Sequence, residues 1–141
     1  MASSLESRLE TEALTDNLHQ VLSFLEQQLD NTACSMKVRM QITMAAEEIF
    51  VNIAHYAYGA EVGKAVVISE LSDTSHTMTI TFIDSGTPYD PLENEDPDVT
   101  LSAEERKTGG LGIFLTKKFM DNVEYSYEDG KNIFKMQKKL F

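Results

Sequence analysis

The sequence predicts an α+β two-layer sandwich, with a mixed, largely antiparallel sheet and helices on one face of it. Three observations lead there. Helical periodicity is concentrated between residues 14 and 58. β-branched runs then come in neighbouring pairs instead of alternating singly with helices, which disfavours a doubly wound parallel sheet. Turn-prone residues join those runs closely enough for antiparallel pairing.

Taken in order, Leu5 to Leu9 reads as a short strand. From Thr15, read as an N-cap, Leu14, Leu18, Val21, Leu22, Leu25 and Leu29 keep the spacing of an amphipathic helix up to Asp30-Asn31. That apolar stripe is expected to be core rather than interface. A longer helix follows from about Ser35 to Tyr58, with Ile42, Ala45, Ala46, Ile49, Ile53 and Tyr56 on its inner side and Gly59 as C-cap. Ala65 to Ile68 and Met78 to Ile83, separated by Ser72-Asp73-Thr74-Ser75, read as paired antiparallel strands. Residues 85 to 109 hold all three prolines and many carboxylates, too long and polar for an ordinary connection, and read as a lid over about 87–109. A third helix from about Gly110 to Met120 precedes Val123 to Tyr127 and Ile133 to Lys138, which flank the hairpin signal Asp129-Gly130.

The 141 residues, 42% hydrophobic and 25% charged, fit one globular domain over 1–141. No apolar run approaches the roughly 20 residues of a membrane span, and the N-terminus is polar, so the expected location is cytoplasmic with no membrane partner. Twelve basic against 23 acidic residues leave a charge of −11, which opposes direct nucleic-acid binding. Cys34 has no partner for an internal disulfide. Neither it nor the three histidines have metal-ligand spacing.

The chemistry concentrates between Asp84 and Leu115. Thr108-Gly109-Gly110-Leu111-Gly112 opens an apolar helix, and glycines there let a phosphate approach backbone N–H groups that lack helical partners. A glycine-rich turn alone is weak evidence. It gains weight from Glu48 and Asn52, one turn apart on the preceding long helix: the amide oxygen can take one position around Mg²⁺, and the carboxylate can orient or deprotonate a nucleophile. Alone, that pair would read as solvated helix surface. Asp84, ending an apolar strand, can accept a hydrogen bond from an exocyclic amine such as that of adenine, or simply close an Asx-turn. Gly86 either lets the backbone pass close to the base or supplies a positive φ. Near the glycine turn Arg106, Lys107, Lys117 and Lys118 offer positive charge for a polyphosphate, although the two lysines also suit the exposed side of a helix.

These residues resemble bacterial anti-sigma factor serine kinases, within the GHKL superfamily of ATPases that includes gyrase, heat-shock chaperones, histidine kinases and mismatch-repair proteins. Glu48-x-x-x-Asn52 with the following His and Tyr looks like that family's N-box. Asp84-Ser-Gly86-Thr-Pro88-Tyr-Asp90-Pro91-Leu92 looks like its first glycine box, and Gly110-Leu111-Gly112-Ile-Phe-Leu like its second. The resemblance implies a Bergerat-type ATP-binding fold with an ATP lid. It implies Glu48 as general base, Asn52 as Mg²⁺ ligand, Asp84 as adenine reader with Gly86 beside it, and Gly110 and Gly112, with Leu111 between them, beneath the phosphates. Arg106 would reach the terminal phosphates from the lid. His55 stands one residue early relative to Asn52, Tyr56 takes the expected histidine place, and Asn132 falls outside the implied site.

The implied activity is an ATP- and Mg²⁺-dependent serine/threonine protein kinase that phosphorylates an anti-sigma factor antagonist and sequesters a sigma factor, as a stand-alone module and a homodimer. The alternative is a nucleotide-responsive binding module with little or no kinase activity.

Overall fold

The computed structural model describes residues 4–93 and 111–141. Five strands form one sheet: β1 (Ser4–Glu12), β2 (Lys64–Ser72), β3 (Thr77–Asp84), β4 (Asn122–Glu128) and β5 (Lys131–Lys139). Their spatial order is β1-β2-β3-β5-β4. All four pairings are antiparallel, so the sheet expected to be mixed and largely antiparallel has no parallel pair among the described strands: each strand's neighbour runs back against it. Among the described residues three α-helices accompany it: α1 (Leu18–Leu29), α2 (Met36–Tyr56) and α3 (Leu111–Phe119).

Register explains the core. Leu9, Val67, Phe82, Phe134 and Tyr125 lie side by side across all five strands, and this row belongs to the hydrophobic core and its margin. Against it pack Val21, Leu25 and Leu29 of α1, all fully buried, and Ile42, Ala46, Ile49 and Phe50 of α2. Full burial of such an apolar side chain is worth about 1.5–3 kcal/mol. The stripe on α1 is therefore core, as its spacing implied.

Several element ends differ from the sequence reading. β1 runs from Ser4 to Glu12, longer than its apolar residues indicate, because it pairs with the whole of β2. Thr15 does not cap α1. Thr15–Asn17 forms a 3₁₀ turn, and the Asn17 amide donates back to the Glu12 carbonyl (3.0 Å), tying the turn to the end of β1. Helix α2 does begin on a capping serine, whose hydroxyl accepts from the Val38 N–H (3.2 Å). It ends at Tyr56, and the left-handed residue is Gly59, three positions on (φ 59°). Tyr56 itself is 61% exposed rather than inward. Asp129 and Gly130 both have positive φ (53° and 77°), as a two-residue type I′ hairpin requires. Among the described residues no helix is long and apolar enough to cross a membrane.

Candidate active site

Alternation along a strand decides which polar residues reach the interior. Asp84 lies two residues beyond Phe82 on β3, and Asn132 two before Phe134 on β5, so both share the inner face. They are also direct partners in the β3–β5 register. Asp84 is 6% exposed and Asn132 7%. The Asn132 amide donates to Asp84 Oδ1 (2.9 Å) and to the Thr87 carbonyl (3.0 Å), while its oxygen accepts from the Tyr89 N–H (3.1 Å) and from the Tyr125 hydroxyl. One buried side chain thus holds the loop after β3 against the sheet. The Asx-turn reading of Asp84 is realised as well, since Oδ1 also accepts from the Gly86 N–H (2.9 Å).

Of the two expectations for Gly86, the positive φ is not met, and the fold gives a further reason for a glycine here. A Cβ there would stand 2.2 Å from the Ala57 carbonyl oxygen and 2.5 Å from the carbonyl carbon, because the loop crosses directly over the end of α2. The Thr87 N–H donates to that same Ala57 oxygen (2.8 Å). Tyr58 adds a second tie, its hydroxyl donating to the Lys64 carbonyl (2.6 Å) and accepting from the Ser85 N–H (2.8 Å).

These contacts frame an open cavity of about 450 Å³, its mouth included, between α2 and the sheet. Ile49, Ile53, Phe82 and Phe134 give it apolar walls, and Asp84, Asn132 and Asn52 place polar groups on them. Tyr56 and Tyr89 stand at this cavity with ring centroids 6.5 Å apart. An apolar slot with a few fixed polar groups is the usual form of a small-molecule site.

Glu48 and Asn52 are adjacent, as their spacing required: the Asn52 amide donates to Glu48 Oε1 (3.3 Å). Burial raises the Glu48 pKa above the ordinary glutamate value. The Asn52 hydrogen bond partly opposes this, and the neighbouring Glu47 charge adds to it. The carboxylate rests on Gly112 in the first turn of α3. A Cβ on Gly112 would lie 2.0 Å from Glu48 Cδ and 2.1 Å from Oε2. Asn52 lines the apolar cavity, whereas Glu48 lines a second groove between α2 and α3, so the pair sits at the boundary of two openings.

Of the expected site residues, the structure brings Glu48, Asn52 and Gly112 into contact, and Asp84 with Gly86, and the two groups meet at the cavity that Asn52 and Asp84 both line. Leu111 opens α3. Arg106 and Gly110, like most of the expected lid, lie outside the described residues. Lys117 and Lys118 occupy the last turn of α3, about 7.5 and 9 Å along the axis from Gly112, and Lys118 Nζ stands 5.4 Å from the Phe114 ring centroid. Asn132 is the residue that the sequence reading left out. Its signal was present: it has the inward parity of Phe134 and Met136, where an unpaired amide would be costly.

Among the described residues no group of three His, Cys, Asp or Glu side chains could hold a metal ion by itself. With its amide nitrogen committed to Glu48, Asn52 keeps one hard oxygen for a ligand. That donor set fits Mg²⁺, which typically takes one or two protein oxygens and fills its remaining positions with water and phosphate.

The profile described as histidine kinase-like ATPase domain matches residues 11–138. The serine/threonine-protein kinase BtrW of Bordetella bronchiseptica is 27% identical over 130 residues, 92% of this chain and 91% of its own. An anti-sigma F factor of Clostridium perfringens is 30% identical over 100 residues, 70% of this chain and 71% of its own. In three dimensions the chain resembles a crystal structure of the RsbU and RsbW domains of a Mycobacterium tuberculosis protein, with a TM-score of 0.66 at 15% identity. That match covers 95% of this chain and 32% of the other.

Proposed function

The chain belongs to the histidine kinase-like ATPase domain family, and from that premise we propose that it is an ATP- and Mg²⁺-dependent serine/threonine protein kinase acting in the cytoplasm as an anti-sigma factor. Its protein substrate is an anti-sigma factor antagonist, and the partner it sequesters is a sigma factor. The observation that carries this reading is the position of Glu48: hydrogen-bonded to Asn52, resting on Gly112, and at the boundary between an apolar cavity and an open groove. Relatives named as a serine/threonine kinase and as an anti-sigma factor support both halves of it.

In this reading adenine occupies the apolar cavity, its exocyclic amine donating to Asp84, while the phosphates extend toward the start of α3 with Arg106, Gly110 and Gly112 around them. Asn52 would hold Mg²⁺, which when bound neutralises phosphate charge. A serine or threonine hydroxyl of the antagonist then attacks the γ-phosphorus, the bond from that phosphorus to the β,γ-bridging oxygen breaks, ADP leaves, and the hydroxyl proton passes to Glu48. Positioning and charge compensation supply most of the acceleration.

The test is phosphate transfer from ATP to the purified antagonist by the unchanged chain and by Glu48→Gln. A loss of about 10²–10⁴ in rate with ATP binding retained is expected for removal of a general base. An unaltered rate would remove Glu48 from the mechanism. Binding of ATP without transfer by either protein would leave the alternative, a nucleotide-responsive binding module.

A further inference from the structure

Helix α2 is apolar on two sides. Its inner side is the core stripe. Its outer side carries Met36, Met40 and Met44 at i, i+4 and i+8, with exposures of 68%, 55% and 48%. They climb about 12 Å of one helical face. The solvent side of a surface helix is ordinarily polar. Methionine, unbranched and polarizable, is instead typical of adaptable binding surfaces.

The stripe leads into the groove between α2 and α3, which Met44 lines together with Glu47, Glu48, Gly112, Leu115 and Phe119. This is the opening on the far side of the Glu48–Asn52 pair from the apolar cavity. We propose that the methionine stripe and the groove it enters form the docking face for the protein that is phosphorylated, a segment whose apolar side chains lie along Met36, Met40 and Met44 and whose hydroxyl descends beside Met44 to Glu48. This assignment rests on the kinase reading above.

The occupant follows from where the base stands. An acceptor hydroxyl has to come within about 2.6–3.2 Å of the Glu48 carboxylate. In that reading adenine fills the cavity on the Asn52 side and the phosphates reach Gly112 at the inner end of the groove, so the acceptor enters through the groove, and whatever enters there covers Met44 and Leu115. A second copy of this chain seated on the same face would close the groove over Glu48 and prevent turnover. Glu47, exposed at the rim, disfavours an acidic residue next to the acceptor hydroxyl and favours a basic one.

The experiment measures steady-state phosphorylation of each purified anti-sigma factor antagonist of the source organism. It compares the full unchanged chain with the Met36→Lys/Met40→Lys pair and the conservative Met36→Leu/Met40→Leu pair. For the lysine pair, the KM for the antagonist should rise about tenfold or more, with kcat at saturation and ATP affinity by titration unchanged. The leucine pair should restore KM. An unchanged KM in the lysine pair overturns the docking assignment and leaves the kinase reading standing. A change from dimer to monomer in sedimentation, with KM unchanged, would make the stripe a self-interface and also overturn it. ATP binding with no transfer to any antagonist by the unchanged chain removes the kinase reading, and the docking assignment with it.

Discussion

At Glu48, the proposed general base, stability and chemistry would pull in opposite directions. Burial raises its pKa, with the Asn52 bond opposing and Glu47 adding, so in the folded chain it holds its proton more tightly than a free glutamate does. A general base has to be ionised. The transfer rate should therefore climb with pH through an apparent pKa above the ordinary glutamate range and then level off. A kcat profile already flat across that range would count against Glu48 as the base. Linkage has the same origin: with the folded pKa above the unfolded one, the stabilising contribution is full below the unfolded pKa and is lost as pH rises through the folded pKa. Near pH 7 the ionised carboxylate is thus a liability, and Glu48→Gln should raise Tm there, with the advantage disappearing under acid. Asn132 is the opposite kind of residue, a neutral amide whose bonds to Asp84, Thr87 and Tyr89 consume both ends of the group.

Two glycines show how elements meet and why one residue type serves two purposes. At Gly86 the obstacle to a side chain is the Ala57 backbone, which moves only if the end of α2 moves. At Gly112 the obstacle is the carboxylate of Glu48, the far end of a flexible side chain. The two alanine substitutions should therefore separate. Gly86→Ala is expected to lower stability by about 1–3 kcal/mol, the usual cost of overpacking. Gly112→Ala should leave stability nearly unchanged, because the carboxylate swings aside and alanine suits a helix better than glycine. Its transfer rate should nevertheless fall, since the carboxylate proposed as the base has been displaced. Urea melts and transfer rates on both variants check this, and equal loss of stability at the two sites would refute the distinction. A tertiary contact likewise accompanies the early end of α2, at Tyr56 instead of about Tyr58: Gly59 is a good left-handed residue, but the helix stops before it, where Ala57 is tied to Thr87 of the neighbouring loop.

Across the whole molecule, a chain of net charge −11 is proposed to hold a polyanion. Long-range attraction cannot assist, so the affinity has to come from the cavity and from local cations. ATP with Mg²⁺ should stabilise the fold by mass action, by about 2.7 kcal/mol at a ligand concentration one hundred times Kd. For a chain of this size that corresponds to an upward shift in Tm of several degrees. Chelation of Mg²⁺ should remove most of it, and GTP should shift Tm less, because guanine carries a carbonyl where adenine offers an amine to Asp84. An equal shift with GTP would disprove the assignment of Asp84 as base reader.

The order of the described helices and strands, the hairpin at Asp129-Gly130, the core stripe of α1 and the adjacency of Glu48 and Asn52 were all legible in the sequence, because each depends on spacing along a single element or between neighbours. Helical and strand periods carry that information without any knowledge of the rest of the chain. What only the tertiary structure decided are the meetings between distant segments: Asn132 against Asp84 across β3 and β5, Gly86 against Ala57, and Gly112 beneath Glu48. Those depend on sheet register and on helices packing across the chain, which no local pattern encodes.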